Sequence, residues 1–167
     1  MNWILSSLMS IRWILILSLL TMFLSQTFAE QQRGETAPAY QQFIGDWALV
    51  SYITFPEDGE AQDMQYIGYL SYDKFGNMAG LGMLKDFPER ASASKEPVRG
   101  GFAYWGSVSV DESGGRVIHH VEGSPMAARW VGGDNIRYYE FVDDLLKLSL
   151  KDSSNRIIAT LTWRKLR

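Results

Sequence analysis

A series of short segments in which apolar and polar residues alternate constrains the fold of this chain more than any other feature. The series begins at Gly45-Asp46-Trp47 and ends at Leu161-Thr162-Trp163-Arg164. Alternation of this kind predicts β-strands with one buried face, and evenly spaced strands separated by turns indicate a β-barrel or a β-sandwich. The predicted strands are residues 46–54, 66–73, 77–84, 101–110, 116–123, 135–142, 145–151 and 157–166.

The short turns between most of these strands favour an up-and-down strand order. An open sheet of this size would leave two unpaired edges, which invite aggregation, and closure into a barrel removes both. We therefore predict an all-β fold, an eight-stranded, up-and-down antiparallel β-barrel. In its first strand, simple alternation places Trp47, Leu49, Ser51 and Ile53 on one face and Tyr52 on the other.

Two of the predicted connections are long. Residues 85–100 contain two prolines and several small residues, with a short helix predicted at 89–95, and residues 124–134 contain Pro125 and Trp130. Long loops of a small barrel lie at its mouth and often carry function. A helical turn at residues 39–44 is predicted to close the other end of the barrel.

The N-terminal segment has the pattern of a signal peptide. Arg12 precedes an apolar run over residues 13–24, and Thr27-Phe28-Ala29 resembles a cleavage site. An uncleaved membrane anchor is the alternative, but a spanning helix needs about 20 apolar residues, and this run is shorter. We expect residues 1–29 to be removed after Ala29, residues 30–42 to form a flexible leader, and residues 43–167 to form the barrel domain. The location would then be periplasmic or secreted, with no stable membrane anchor.

The composition of the exported part excludes some classes of partner. Removing Arg12, the single charge of residues 1–29, from the 16 Lys and Arg leaves 15 against 19 Asp and Glu, a net charge of −4. A nucleic-acid-binding protein would need a strongly basic face, so we expect no nucleic-acid partner. The chain has no cysteine, so no disulfide supports it and its stability must come from the core. We expect a monomer.

Several motifs resemble those of a known family. Gly45-Asp46-Trp47 resembles the Gly-x-Trp motif of lipocalins and the wider calycin group, and residues 47–52, 68–73, 76–78, 104–106, 117–124 and 130–132 resemble the bacterial and fungal lipocalin-like domain family. The resemblance spans residues 43–165 and also includes Arg137. In the calycin group a basic side chain of a late strand covers the tryptophan, which implies that Arg164 covers Trp47 here. The resemblance implies the fold more firmly than a function.

The two histidines of the chain, His119 and His120, are adjacent on a predicted strand and so point to opposite faces. They cannot chelate one metal ion together, and we expect neither a metal nor a cofactor. The family pattern favours His119 as the inward residue, where it could bind a ligand, transfer a proton or simply pair with a buried tyrosine. Glu122 shares the face of His120, either as an acid–base partner or as part of an exposed polar pair.

Arg137 lies on a predicted strand between an isoleucine and a tyrosine. If it points inward, its charge is costly in a mostly closed interior unless it has a partner. That partner could be Glu122, Glu140 or the anionic head group of a ligand. The alternative is an outward Arg137 beside Glu140.

Aromatic residues make up 13% of the chain, a share large enough both to fill a core and to line a pocket. Met83, Phe87, Met126 and Trp130 lie at or beside the long connections, which favours a pocket there. The predicted ligand-binding residues are His119, Arg137, Trp130, Tyr104, Tyr72 and Met83. The predicted structural residues are Gly45, Trp47 and Arg164.

The leading functional hypothesis is an exported barrel that binds a small, largely apolar molecule in its interior. The alternatives are an isomerase or cyclase that uses His119, and a structural envelope module with a filled core. A cavity of about 300 Å³ or more would argue against the filled core. A purely apolar cavity would favour carriage, and a second titratable group within about 3 Å of His119 would favour an enzyme. No residues are predicted to be catalytic, because the sequence has no cysteine or Gly-x-Ser-x-Gly motif and gives little support for a Ser-His-Asp triad.

Overall fold

The computed structural model describes residues 38–86 and 100–167. In these residues nine strands form one antiparallel sheet, and the first strand also pairs with the last, which closes the sheet into a barrel. The strands are β1 (Gly45–Thr54), β2 (Gln62–Asp63), β3 (Tyr66–Tyr72), β4 (Asn77–Leu84), β5 (Gly101–Asp111), β6 (Arg116–Gly123), β7 (Asp134–Val142), β8 (Leu145–Lys151) and β9 (Ile157–Lys165).

The prediction of a closed, up-and-down barrel of eight antiparallel strands is confirmed. Each predicted strand is present, with ends that differ from the prediction by no more than one residue. The additional strand, β2, is a two-residue segment that extends the hairpin after β1, where Ile53 is paired with Asp63. The barrel closes where β1 pairs with β9, so its strands have no free edge along this seam.

A β-bulge in β1 changes which residues of this strand face the interior. The register with β9 shifts between Leu49 and Ser51, which leaves Val50 without a partner. An extra residue in one strand reverses the alternation beyond it. Trp47 and Leu49 share a face as predicted, and this face packs inward, but beyond the bulge Tyr52 faces the interior. The prediction that Ser51 and Ile53 share the face of Trp47 was wrong for this reason.

One end of the barrel is filled by aromatic side chains. A short 3₁₀-helix at Pro38–Gln42 leads into Phe43, which is fully buried. The indole Nε1 of Trp47 donates a hydrogen bond to the carbonyl oxygen of Phe43 at 2.9 Å. The Phe43 ring meets Tyr139 and Phe141 edge-on, with centroids 5.0 Å apart in both pairs. The predicted helical turn at 39–44 therefore exists as a 3₁₀-helix, and it closes this end.

The basic residue that covers Trp47 is Lys165 and not Arg164. Lys165 is paired with Trp47 across the β1–β9 seam, and its Nζ lies 5.1 Å from the centroid of the indole. Arg164 is one residue away and therefore points to the other face of β9, where its Nε lies 3.5 Å from a carboxylate oxygen of Asp144. Gly45 adopts a φ of +129°, and a Cβ there would lie 2.9 Å from Cε of Lys165. The absence of a side chain at Gly45 makes room for the lysine stem.

Three predictions fall on parts of the chain that the structure does not describe. The signal peptide at residues 1–29, the first part of the leader at 30–37 and the short helix at 89–95 lie outside the described residues, whereas residues 38–42 of the predicted leader form the 3₁₀-helix. Within the described ranges, no helix has both the length and the apolar character that crossing a membrane requires.

Candidate functional site

The barrel encloses a cavity of about 220 Å³. Its wall is mostly aromatic and aliphatic and includes Tyr52, Tyr66, Phe102, Trp130, Leu148 and Trp163. Ligand sites for drug-sized molecules have volumes of about 300–1,000 Å³. The cavity is therefore smaller than the size that we set from the sequence, and it suits only a small ligand.

His119 is the buried centre of a polar cluster in the wall of this cavity. Only 1% of its surface is exposed, which confirms that His119 is the inward histidine. The hydroxyl of Tyr72 lies 2.8 Å from its Nε2, and the hydroxyl of Tyr104 lies 2.8 Å from its Nδ1. Burial lowers the pKa of His119 well below its ordinary value, and the charge of Arg137 lowers it further. The imidazole is therefore neutral, with one N–H donor and one acceptor nitrogen.

The two tyrosines differ in their access to the cavity. Tyr104 lines it, whereas Tyr72 is almost fully buried in the core behind His119. Burial raises the pKa of Tyr72 well above its ordinary value and raises that of Tyr104. Both phenols are therefore protonated at neutral pH, and each supplies one O–H donor. Because one ring nitrogen of His119 donates and the other accepts, the cluster holds both tyrosines in place.

Arg137 is half-buried and faces the interior from β7, with a wall position in the cavity. Its Nη1 donates to the carbonyl oxygen of Ile136 at 2.8 Å. The guanidinium is close enough to Tyr104 to oppose the effect of burial on the pKa of that phenol, through its positive charge and through hydrogen bonding. The sequence left open whether Arg137 points inward, and the structure places it beside Tyr104.

Neither carboxylate that the sequence offered as a partner reaches Arg137. Glu140 lies on the outer face, where it accepts a hydrogen bond from Nζ of Lys147 at 3.1 Å. Glu122 is exposed at a bulge, where the β5–β6 register shifts between Trp105 and Gly106. Among the described residues no Asp or Glu lines the cavity, and Arg137 forms no salt bridge there.

Two buried side-chain donors have no hydrogen-bond partner among the residues that the structure describes. They are the indole Nε1 of Trp163, a residue of the cavity wall, and Nδ2 of Asn135, which precedes Arg137 on the same side of β7. Buried polar groups in folded proteins nearly always have a partner, so an unpaired one calls for an explanation. Both atoms are donors, as are the N–H groups of Arg137.

The predicted ligand-binding residues are only partly brought together. Trp130 and Tyr104 both line the cavity, with rings edge-to-face at 5.6 Å. Met83 does not line the cavity, because the inward face of β4 belongs to Met78, Gly80 and Gly82, and Met83 lies on the other face of the strand. Met126, which was predicted to lie near a pocket, is 38% exposed and is not part of the cavity wall. Phe87 lies outside the described residues.

Sequence reasoning missed several wall residues. Tyr52, Tyr66, Phe102 and Trp163 were not predicted as site residues, although they line the cavity. For Phe102 the signal was present, since it lies two residues before Tyr104 on the same strand and so shares its face. For Tyr52 the bulge in β1 hid the signal.

The outer face of the barrel carries a second group of hydrogen-bonded polar side chains, which was not predicted from the sequence. Nε2 of His120 lies 2.8 Å from Oγ of Ser109, and its Nδ1 lies 2.7 Å from Oδ1 of Asp134. The sequence offered little support for a Ser-His-Asp triad, and the structure brings these three side chain types into contact; the partners of His120 are Ser109 and Asp134, and not the suggested Glu122. An acyl-transfer site also needs donors for an oxyanion, and these three side chains supply none. Within the described ranges, no cluster of three or more His, Asp or Glu could hold a metal ion.

Comparison with known proteins gives the family. Residues 44–166 match the model of the lipocalin-like domain family. A solved structure of a lipocalin-like protein from Bacteroides uniformis is similar, with 16% identity, a TM-score of 0.47, and coverage of 75% of this chain and 99% of that chain. An uncharacterized protein from Bacteroides eggerthii is similar at 14% identity and a TM-score of 0.44, with coverage of 74% and 99%. No curated protein matches the chain. Because the family model covers most of its length, the chain belongs to the lipocalin-like domain family.

Proposed function

We propose that this protein is exported and binds a small, largely apolar molecule inside its barrel. The observation that carries the proposal is the cavity of about 220 Å³. Its wall is aromatic and aliphatic except for one polar site, which Arg137 and Tyr104 form together. Few, well-placed polar groups in an apolar wall are typical of small-molecule sites. Export is supported by the charged, apolar and small-residue segments that precede residue 30.

The apolar wall would supply most of the affinity. Each Å² of apolar surface that the ligand removes from water contributes about 25 cal/mol. Trp130, Phe102 and Leu148 offer such surface. The size of the cavity limits the ligand to a small molecule and excludes a bulky one without rearrangement of these side chains.

One observation favours a second candidate, an enzyme that transfers a proton. His119 lies 2.8 Å from both Tyr72 and Tyr104, which meets the criterion that we set for an enzyme, and Tyr104 presents the cavity end of this chain of hydrogen bonds. Isomerisation would need a group that accepts a substrate proton. Both ring nitrogens of His119 are already paired with tyrosines, so binding is the better-supported function.

The proposal can be tested by native mass spectrometry on protein purified from its own compartment. A co-purifying small molecule is the expected result. Leu150 lines the cavity and Leu81 lies on the outer face, so Leu150→Trp should abolish the bound species and Leu81→Trp should not. Titration with octanol, read by the fluorescence of Trp130 and Trp163, provides a second assay. A barrel without a co-purifying molecule and without a response to octanol would contradict the proposal and favour a filled structural module.

Export is tested separately. Cell fractionation should place the protein outside the cytoplasm, and N-terminal sequencing of the mature chain should begin at Glu30. An intact N-terminus in the cytoplasmic fraction would contradict this part of the proposal and leave the binding experiment unaffected.

A further inference from the structure

We infer that the ligand carries one anionic group, in the simplest case a carboxylate, which binds between Arg137 and Tyr104. The inference rests on the proposed function of the cavity and specifies the class of ligand. Three features of the site support it: the charge of the cavity wall, the balance of its hydrogen-bond donors and acceptors, and the way His119 holds Tyr104.

The cavity wall carries one positive charge and no negative charge among the described residues. Arg137 supplies the positive charge, burial raises the pKa of Tyr66 and of Tyr104 so that both phenols keep their protons at neutral pH, and His119 is neutral. A half-buried charge without a counter-ion is costly, and the attraction of a bound anion offsets part of that cost. A cationic ligand would raise it, because it would bring a second positive charge beside the guanidinium.

The hydrogen-bonding groups of the wall point to the same sign of charge. A guanidinium has five N–H donors and no acceptor; one of those of Arg137 donates to the carbonyl oxygen of Ile136 and another interacts with the oxygen of Tyr104, which leaves three for a ligand. A carboxylate is acceptor-only and can take two parallel N–H bonds from one arginine. The wall therefore matches a ligand whose polar end accepts hydrogen bonds.

The His119 cluster can present the hydroxyl hydrogen of Tyr104 to such an acceptor. If Nδ1 of His119 carries the proton, it donates to the oxygen of Tyr104, and Nε2 accepts from the hydroxyl of Tyr72. The O–H of Tyr104 is then free to donate to the anion. In this arrangement each side-chain donor of Tyr72, His119 and Tyr104 has an acceptor. His119 is thus a positioning residue, which acts on the ligand through Tyr104.

The test compares ligands that share a tail and differ at the head. Octanoate, octanol and octylamine are titrated against the full mature protein near neutral pH, with tryptophan fluorescence and calorimetry as readouts. Hydrogen bonds to a charged group make a net contribution that corresponds to about 10- to 100-fold in affinity. We expect octanoate to bind more tightly than octanol by about that factor, and octylamine to bind most weakly.

Arginine variants assign the preference to the site. Arg137→Gln should bring the affinity for octanoate down to that for octanol, with little change in octanol binding. Arg164→Gln removes the same charge from an exposed position beside Asp144 and should leave the preference intact. Tyr104→Phe should lose part of the preference, because it removes one of the donors. Arg137→Lys keeps the charge without the fork of donors and should retain an intermediate preference.

The possible outcomes separate this inference from the proposed function. If octanol binds as tightly as octanoate to the wild-type protein, the anion inference is overturned and the binding function stands. Equal loss of octanoate preference in Arg137→Gln and Arg164→Gln would also overturn it, since the effect would be one of overall charge. If none of the three compounds binds, both proposals fail for ligands of this class. The wild-type comparison does not depend on whether any variant folds.

Discussion

The hydroxyl of Tyr72 lies 2.8 Å from Nε2 of His119, and both side chains are within 1% of complete burial. Neither group can exchange this hydrogen bond for one with water. The pair connects β3 to β6 across the barrel interior, so it contributes to stability as well as to the arrangement of the cavity wall. Removing this hydrogen bond by mutation therefore tests how much the buried cluster contributes to stability.

Tyr72→Phe should lower the free energy of unfolding by about 1–3 kcal/mol, because it leaves a buried ring nitrogen of His119 without a partner at little change in volume. Urea denaturation measures the change. Tyr69→Phe is the matched control, since the hydroxyl of Tyr69 lies 2.6 Å from a carboxylate oxygen of Asp46 on the exposed outer face. It should cost less than about 1 kcal/mol. Equal losses in both variants would argue against a buried role for the Tyr72 hydrogen bond.

The buried, neutral His119 predicts a loss of stability in mild acid. Its pKa is lowered by burial in the folded state, so below the ordinary histidine value of about 6.5 the unfolded chain binds a proton that the folded chain does not. The unfolded state then gains about 1.4 kcal/mol for each pH unit below about 6.5. The contribution is fully present above that pH and is lost as the pH falls.

Stability measured by urea denaturation between about pH 5 and 7 should show this slope, since carboxylates contribute mainly at lower pH. His119→Gln should flatten the curve in this range, even if the variant is less stable throughout. His120→Gln removes the outer histidine and should leave the contribution of His119 in place. A wild-type curve that is flat over this range would contradict the assignment of a neutral, buried imidazole.

The covering of Trp47 by Lys165 predicts a difference between two adjacent basic residues. The Lys165 ammonium lies 5.1 Å from the indole centroid, a distance at which a cation–π contact contributes about 0.5–1 kcal/mol at an exposed site. Lys165→Met keeps much of the apolar stem and should lose that amount in thermal or chemical denaturation. Arg164→Met makes the same charge change and should cost less than about 0.5 kcal/mol. The reverse order would restore Arg164 as the partner of Trp47.

The strands could be predicted from the sequence because each of them has one apolar face and ends at turn residues. Alternation predicted that His119 and His120 lie on opposite faces of β6, and the family resemblance favoured His119 as the inward residue. The bulge at Val50 reverses the faces of β1 and depends on pairing with β9, a long-range contact that alternation within one strand does not contain. Tyr52 was missed for this reason.

The candidate site was predictable in its residue types but not in its geometry. Arg137 could be weighed as an inward or outward charge from the sequence, but its isolation from carboxylates depends on where Glu122 and Glu140 point across neighbouring strands. The choice between Arg164 and Lys165 turned on the register of the β1–β9 seam, which pairs Trp47 with Lys165. A shift of one residue in the strand register changes which of two adjacent side chains lies over the tryptophan.

Gly106 gives a test of the second bulge, which lies beside the buried cluster. A Cβ at this position would lie 1.9 Å from the carbonyl oxygen of His120 and 2.9 Å from the amide nitrogen of Glu122. Both are backbone atoms, so the clash could be removed only if β5 and β6 moved apart. The two strands carry Tyr104 and His119, so this movement would disturb the hydrogen bond between them. Gly106→Ala should therefore lower the free energy of unfolding by about 2–3 kcal/mol and weaken ligand binding.

Gly133→Ala is the control, because its Cβ meets only the carbonyl oxygen of Trp130 at 3.4 Å, and the free energy of unfolding should change by less than about 1 kcal/mol. A stable Gly106→Ala variant with unchanged binding would contradict this close approach of the two strands.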